Sequence, residues 1–170
     1  AGERCSALNS CLPGLLCLNV SPTATIPTNI CTPLCEGDSD CTGAGALCVY
    51  SLNDGSGGTV PDAMLCSRSC DPTNARACPS GTGCHIFQER SGSMRAFTDC
   101  VGPTGSGTQG SSCSSAEDCA PGLACADSPG RCLKYCSSPG TLRGCASGEA
   151  CYGFTSPLVI GSSEYGVCSS

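Results

Sequence analysis

The sequence predicts a small, disulfide-rich fold of β-hairpins and loops, built from five tandem four-cysteine repeats in an elongated array with minimal helix. Three observations predict it. Twenty of the 170 residues are cysteine, a density that marks a disulfide scaffold, and the even number allows ten bridges. The cysteines repeat one spacing grammar five times. Large aromatics are scarce, with three Phe, four Tyr and no Trp, so cross-links are expected to replace part of a conventional core.

The repeats are Cys5, Cys11, Cys17, Cys31; Cys35, Cys41, Cys48, Cys66; Cys70, Cys78, Cys84, Cys100; Cys113, Cys119, Cys125, Cys132; and Cys136, Cys145, Cys151, Cys168. The first gap holds 5 to 8 residues, the second 5 or 6, and the third a variable 6 to 17. The residue three before the third cysteine is always glycine: Gly14, Gly45, Gly81, Gly122 and Gly148. A fixed glycine in a cross-linked turn indicates a backbone position that needs positive φ.

The third gap predicts a hairpin. Short β-prone runs such as CVYS, CHIF and CYGF begin at the third cysteine, and AMLC, AFTDC and YGVC enter the fourth. Between them stand turn-rich stretches, NDGSGG (53–58), ERSGS (89–93) and DSPG (127–130). No sustained 3.6-residue apolar pattern is present, so helix is minor. A hairpin of this length is marginal alone in water, which is why each repeat needs two bridges.

Four cysteines allow three pairings. The favoured one joins first to third and second to fourth, because interleaving pins both hairpin strands to the entry loop. It predicts Cys5–Cys17 with Cys11–Cys31, Cys35–Cys48 with Cys41–Cys66, Cys70–Cys84 with Cys78–Cys100, Cys113–Cys125 with Cys119–Cys132, and Cys136–Cys151 with Cys145–Cys168.

Repeats 5–31, 35–66 and 70–100 occupy 1–100, and repeats 113–132 and 136–168 occupy 113–170. Three-residue joints (32–34, 67–69 and 133–135) predict a stiff rod, whereas 101–112 reads as a flexible Gly/Ser/Thr linker. CSALNSCLPGLLC and CSSAEDCAPGLAC open the two parts, as duplication of a two-repeat unit would leave them.

The stretch CSSAEDCAPGLAC…CLKYC resembles secreted C-x5-C-x2-G-x2-C…C modules of the Dickkopf/colipase-like and EB types. It is also similar to Cys-rich repeats of surface proteins from predatory soil bacteria. The resemblance covers most of the chain through cysteine spacing, and it implies a secreted, non-enzymatic binding or structural role.

The cysteine load stays oxidised only outside a reducing cytosol. The expected setting is therefore extracellular, periplasmic or cell-surface, and the small residue Ala1 suits a removed signal peptide. No apolar run approaches a membrane span of roughly 20 residues. The net charge of −6 argues against general nucleic-acid binding. Zinc is disfavoured because C-x2-C is absent, and that absence removes C-x-x-C redox chemistry too. His85, the single histidine, reads as a hairpin side chain rather than a catalytic base. Glu36, Asp38, Asp40, Glu117 and Asp118 read as solvated loop acids. The alternative, a calcium loop, lacks its terminal carboxylate because Val49 holds the twelfth place. No cofactor is expected.

The leading functional reading is a secreted or cell-surface structural and interaction protein, not an enzyme. It would present variable hairpin loops to a protein or glycan partner, or to itself in an extracellular assembly. The alternative is a protease inhibitor with Arg95 or Leu158 as specificity residue, since disulfide-locked loops are preorganised. Asn19 opens a glycosylation sequon, and 21–28 has the composition of an O-glycosylated stretch. Glycosylation at either place raises the intact mass of the native protein above the 16.9 kDa of the sequence, and mass spectrometry before and after deglycosylation checks it.

Overall fold

The structure is a computed structural model describing residues 3–6, 10–19, 29–54, 56–89, 92–102, 104–126 and 130–170, with backbone alone at 19 and 53. Each quartet encloses one antiparallel hairpin. The pairs are β1 (Leu15–Asn19) with β2 (Asn29–Cys35), β3 (Cys48–Asn53) with β4 (Thr59–Cys66), β5 (Gly83–Gln88) with β6 (Ala96–Val101), β7 (Leu123–Ala126) with β8 (Arg131–Ser137), and β9 (Ala150–Ile160) with β10 (Ser163–Ser169). Among the described residues, helix is confined to two single 3-10 turns, Asp38–Asp40 and Ala116–Asp118.

One register recurs in all five hairpins. The third and fourth cysteines face each other across the strands: Cys17 and Cys31, Cys48 and Cys66, Cys84 and Cys100, Cys125 and Cys132, Cys151 and Cys168. They do not bond to each other. The third takes the first cysteine of the entry loop and the fourth takes the second. Cα separations are 5.8–5.9 Å for the first kind of bridge and 5.4–5.6 Å for the second. Among the described residues, ten of the eighteen buried apolar side chains are half-cystines, including the fourth cysteine of every repeat. The cystines therefore occupy the place of a hydrophobic core.

The recurring glycine sits in a β-turn feeding the first hairpin strand. Its φ lies between +83° and +88° at Gly14, Gly45, Gly81, Gly122 and Gly148. In each repeat the residue after it donates its N–H to the carbonyl two before it, as in Leu15 to Leu12 and Leu123 to Ala120, both within 3.2 Å. A positive φ at the third turn position is the type II geometry that favours glycine there and proline before it, which accounts for Pro13-Gly14 and Pro121-Gly122.

Repeats 1 and 2 share one sheet of order β1-β2-β4-β3, and repeats 4 and 5 share another of order β7-β8-β10-β9. The joints 32–34 and 133–135 are strand, continuous with β2 and β8. A four-residue step keeps Cys31 and Cys35, or Cys132 and Cys136, on one face, so each joint strand serves both repeats. Pro33 stands where β2 changes partner, between its pairing with β1 and its pairing with β4. The joint 67–69 leaves the sheet. Ser67 exchanges hydrogen bonds with Leu47 through its backbone N–H (2.8 Å) and side chain (3.0 Å), and repeat 3 remains a separate two-stranded unit.

One expectation is corrected. The described part of the 101–112 segment is fastened to repeat 4: Gly107 bonds Asp118 and Ala120, and Gly110 and Ser111 bond Cys132. Its glycines serve close backbone approach, since a Cβ on Gly107 would lie 2.7 Å from the Asp118 carbonyl. Repeat 5 also reaches repeats 2 and 3. Ile160, at the end of β9 in repeat 5, packs on Gly45 of repeat 2 beside Thr98 of repeat 3.

At Gly45 a methyl would meet the Ile160 Cγ2 at 2.5 Å and the Thr98 Oγ1 at 3.0 Å, while at Gly14 it meets nothing within 4 Å. Gly14→Ala should cost about 1–2 kcal/mol from backbone strain alone, and Gly45→Ala about 2–4 kcal/mol with overpacking added. Guanidinium unfolding of the oxidised variants measures the difference, and equal costs would disprove the packing of repeat 5 on repeat 2.

Candidate functional site

Two places concentrate polar chemistry: the hairpin tips and a buried centre beneath repeat 3. At the tip of repeat 3, Arg95 Nε donates to Glu89 at 3.0 Å and Nη2 donates at 2.7 Å. Arg95 Nη1 bonds Asp38 in the entry loop of repeat 2. The Arg95 side chain holds Glu89 down to about 2. Asp38 is lowered by the Cys48 N–H and then by Arg95. The tip of repeat 2 is closed by Asp54, whose Oδ1 accepts from the Ser56 N–H and Oγ and from the Gly58 N–H.

The loop acids have structural duties. Asp40 and Asp118 each precede the second cysteine and accept backbone N–H groups, from Glu36 and Gly37 at 2.8 and 3.2 Å and from Ser114 and Ser115 at 2.7 and 3.0 Å. Glu36 and Glu117 are exposed. In each repeat three cysteine sulfurs lie within 4.8 Å of one another, yet every cysteine is consumed in a bridge and none is free.

The buried centre is not visible in the sequence. Thr98 of β6 is wholly buried. Its N–H bonds the Gly45 carbonyl at 2.9 Å. Its Oγ1 donates to the Arg68 carbonyl at 3.0 Å and accepts the Cys70 N–H at 3.2 Å. Next to it, the Asp99 carboxylate accepts from the Tyr50 hydroxyl and the Cys100 N–H, and it faces Arg68. Arg68 Nη2 reaches the Cys31 carbonyl of repeat 1 at 3.2 Å, and its Nη1 is buried without a partner. The Tyr50 ring meets Phe97 edge-on with centroids 5.9 Å apart, and Phe87 stacks on Phe97 at 5.6 Å. Thus Cys31, Tyr50, Arg68 and Asp99 tie three repeats together. Single residues scattered over sixty-nine positions carry no periodic signal that sequence reading detects.

His85 lies in the hairpin, as expected from its place after Cys84. It is 1% exposed, and neither ring nitrogen has a hydrogen-bond partner among the described residues, so none of these supplies a nucleophile or orienting group paired with it. Of the inhibitor candidates, Arg95 is held by two carboxylates, and half-buried Leu158 is paired with Tyr165 in β9–β10. Neither stands free at a loop apex. The Asn19 side chain and residues 21–28, where glycosylation is expected, lie outside the described side chains and residues. No protein-family model, curated protein or solved structure matches the chain. The fold and its chemistry are those of a small disulfide-rich protein consistent with an extracellular structural or interaction role. Among the described residues no helix is long and apolar enough to cross a membrane.

Asp99 carries a testable pH dependence. Burial pushes its carboxyl up from 3.8 to about 6, against the hydrogen bonds from Tyr50 and Cys100 and the charge of Arg68. The folded state binds this proton more tightly than the unfolded chain. Its contribution is therefore full below pH 3.8 and is lost as the pH rises through about 6. Asp99→Asn keeps an acceptor and removes the titration. Between about pH 3.5 and 6.5 the wild type should lose up to ~3 kcal/mol relative to the variant. Denaturant unfolding of both proteins across that range checks it, and parallel pH profiles would contradict it.

Proposed function

We propose that the protein is a secreted or cell-surface interaction module, without catalytic activity, that presents its variable hairpin tips to a protein or glycan partner. The supporting observation is the division of the molecule into a repeated covalent frame and tips that differ from repeat to repeat. The frame fixes the base of each hairpin at the third and fourth cysteines. Side chains fix the tips of repeats 2 and 3: Asp54 closes the first, and Arg95 anchors the second to the repeat 2 entry loop. A loop held in one shape loses less entropy on binding, so preorganisation favours affinity. The spacing resemblance to secreted modules points the same way.

The test uses the oxidised full chain, immobilised and exposed to a glycan array and to solubilised surface proteins of the cells that produce it. Saturable binding is expected, weakened on the order of tenfold by Arg95→Ala as the tip loosens. Binding indifferent to Arg95→Ala, to Asp54→Ala and to replacement of the tips by Gly-Ser would defeat the reading. So would a hydrolytic turnover that disappears in His85→Ala.

A further inference from the structure

All ten bridges lie within a repeat, and none joins two repeats. Repeats 1 and 2 are joined by paired strands, as are repeats 4 and 5. Repeat 3 meets repeats 4 and 5 only through side-chain and loop contacts among the described residues. The Tyr135 hydroxyl reaches the Ile86 backbone, Ile86 packs on Ala124, Tyr135 and Val167, and Ala75 lies against Gly122. His85 sits at this same seam. A Cβ placed on Gly83 would lie 3.1 Å from His85 Nε2, 2.9 Å from the Thr104 methyl and 3.6 Å from Pro121 Cα. The imidazole, the 104–112 segment and the repeat 4 turn thus converge on one glycine.

A neutral imidazole fits such a place as an aromatic ring, and it lies edge-on to Phe87 with centroids 6.5 Å apart. An imidazolium does not, because it needs acceptors for two N–H donors and a buried unpaired cation is strongly disfavoured. No charge among the described neighbours relieves it. On β6 its register partner is Asp99, whose carboxylate is engaged by Tyr50, Cys100 and Arg68. Thr104 and the turn Ala120–Leu123 bring uncharged residues, and Asp118 behind them is turned to Ser114 and Ser115. Burial is the one cause acting on His85, and it holds the ring's pKa below the usual histidine value. The closed seam is accordingly favoured above about pH 6.5 and progressively weakened below it.

We propose that His85 is an acid-sensitive latch between repeat 3 and the last two repeats: protonation releases Thr104 and the Pro121 turn from β5, opening the seam while each cystine-closed repeat keeps its fold. The test is hydrogen exchange of the oxidised full chain at about pH 7.5 and 5, corrected for intrinsic rates, alongside His85→Phe. In the wild type, protection of the seam amides, Ile86 against Tyr135 and Ala120, Gly122 and Leu123 of the repeat 4 turn, should fall about tenfold or more at the lower pH. It should recover on neutralisation, while amides beside Cys17 and Cys31 stay unchanged. His85→Phe should remain protected at both pH values. Unchanged wild-type protection at pH 5 overturns the proposal, as does an equal loss in the variant. If His85→Phe does not fold, the wild-type imidazole is titrated by NMR. A depressed midpoint shared with the Gly122 amide supports the latch, and an ordinary midpoint or a silent Gly122 overturns it.

Discussion

The structure depends on the placement of the third and fourth cysteines directly across each hairpin, with each bonded to the entry loop instead of to the other. A bridge between them would tie strands that are already paired. Sent to the first and second cysteines, the two sulfurs capture an entry loop that is otherwise held to the hairpin by isolated backbone hydrogen bonds, such as Cys5 to Asn29 and Cys113 to Gly130. The sequence separations closed are 12 to 25 residues, each worth about 3 kcal/mol in the chain-entropy treatment. These contributions are not additive, but their direction is clear: unfolded-state entropy is removed where too little apolar surface exists to offset it.

Confining the bridges to single repeats separates two properties that a globular core couples. Each repeat is stabilised covalently, and the arrangement of repeats is not. Within the pairs 1–2 and 4–5, continuous joint strands supply that arrangement through backbone hydrogen bonds. Around repeat 3 it rests on Thr98, the Tyr50–Asp99–Arg68 cluster and Ile160 on Gly45. Buried polar contacts are costly when half satisfied, and this centre contains both Arg68 Nη1 and the two His85 nitrogens without partners. Such a region is expected to open at lower free energy than the hairpins that surround it.

Much of the frame is legible in the sequence because it is local and repeated. Quartet spacing marks the repeats, and the glycine offset marks a turn whose φ varies by only a few degrees across five copies. The runs entering and leaving Cys48 and Cys66, or Cys151 and Cys168, mark the strands. The joints look like spacers, although their four-residue period already places Cys31 with Cys35, and Cys132 with Cys136, on one strand face. Composition misleads at 101–112 because glycine serves two purposes. It does not separate conformational freedom from the close approach that Gly107 makes to Asp118. The recurring glycines meet unrelated neighbours, Ile160 at Gly45, Arg4 at Gly81 and Ala75 at Gly122, and none within 4 Å at Gly14 or Gly148, so these contacts leave no pattern to read.

Repeat 3 shows the consequence of a broken joint. Its entry, Ser67-Arg68-Ser69, turns out of the sheet instead of continuing it, so β5 and β6 gain no neighbouring strand among the described residues. Polar side chains then take the role that the β2–β4 and β8–β10 ladders have elsewhere. Thr98 satisfies the backbone groups at Arg68 and Cys70 that a ladder would have paired, and Asp99 and Arg68 bring opposite charges to the same junction. Burying those groups raises the carboxyl of Asp99 and lowers the imidazole of His85, shifts of opposite sign in one hairpin. Protonation on acidification thus relieves the penalty at Asp99 and creates one at His85. His85 and Asp99, register partners on one face of the same hairpin, consequently respond to acid in opposite directions, and that asymmetry stems from a single three-residue departure from strand.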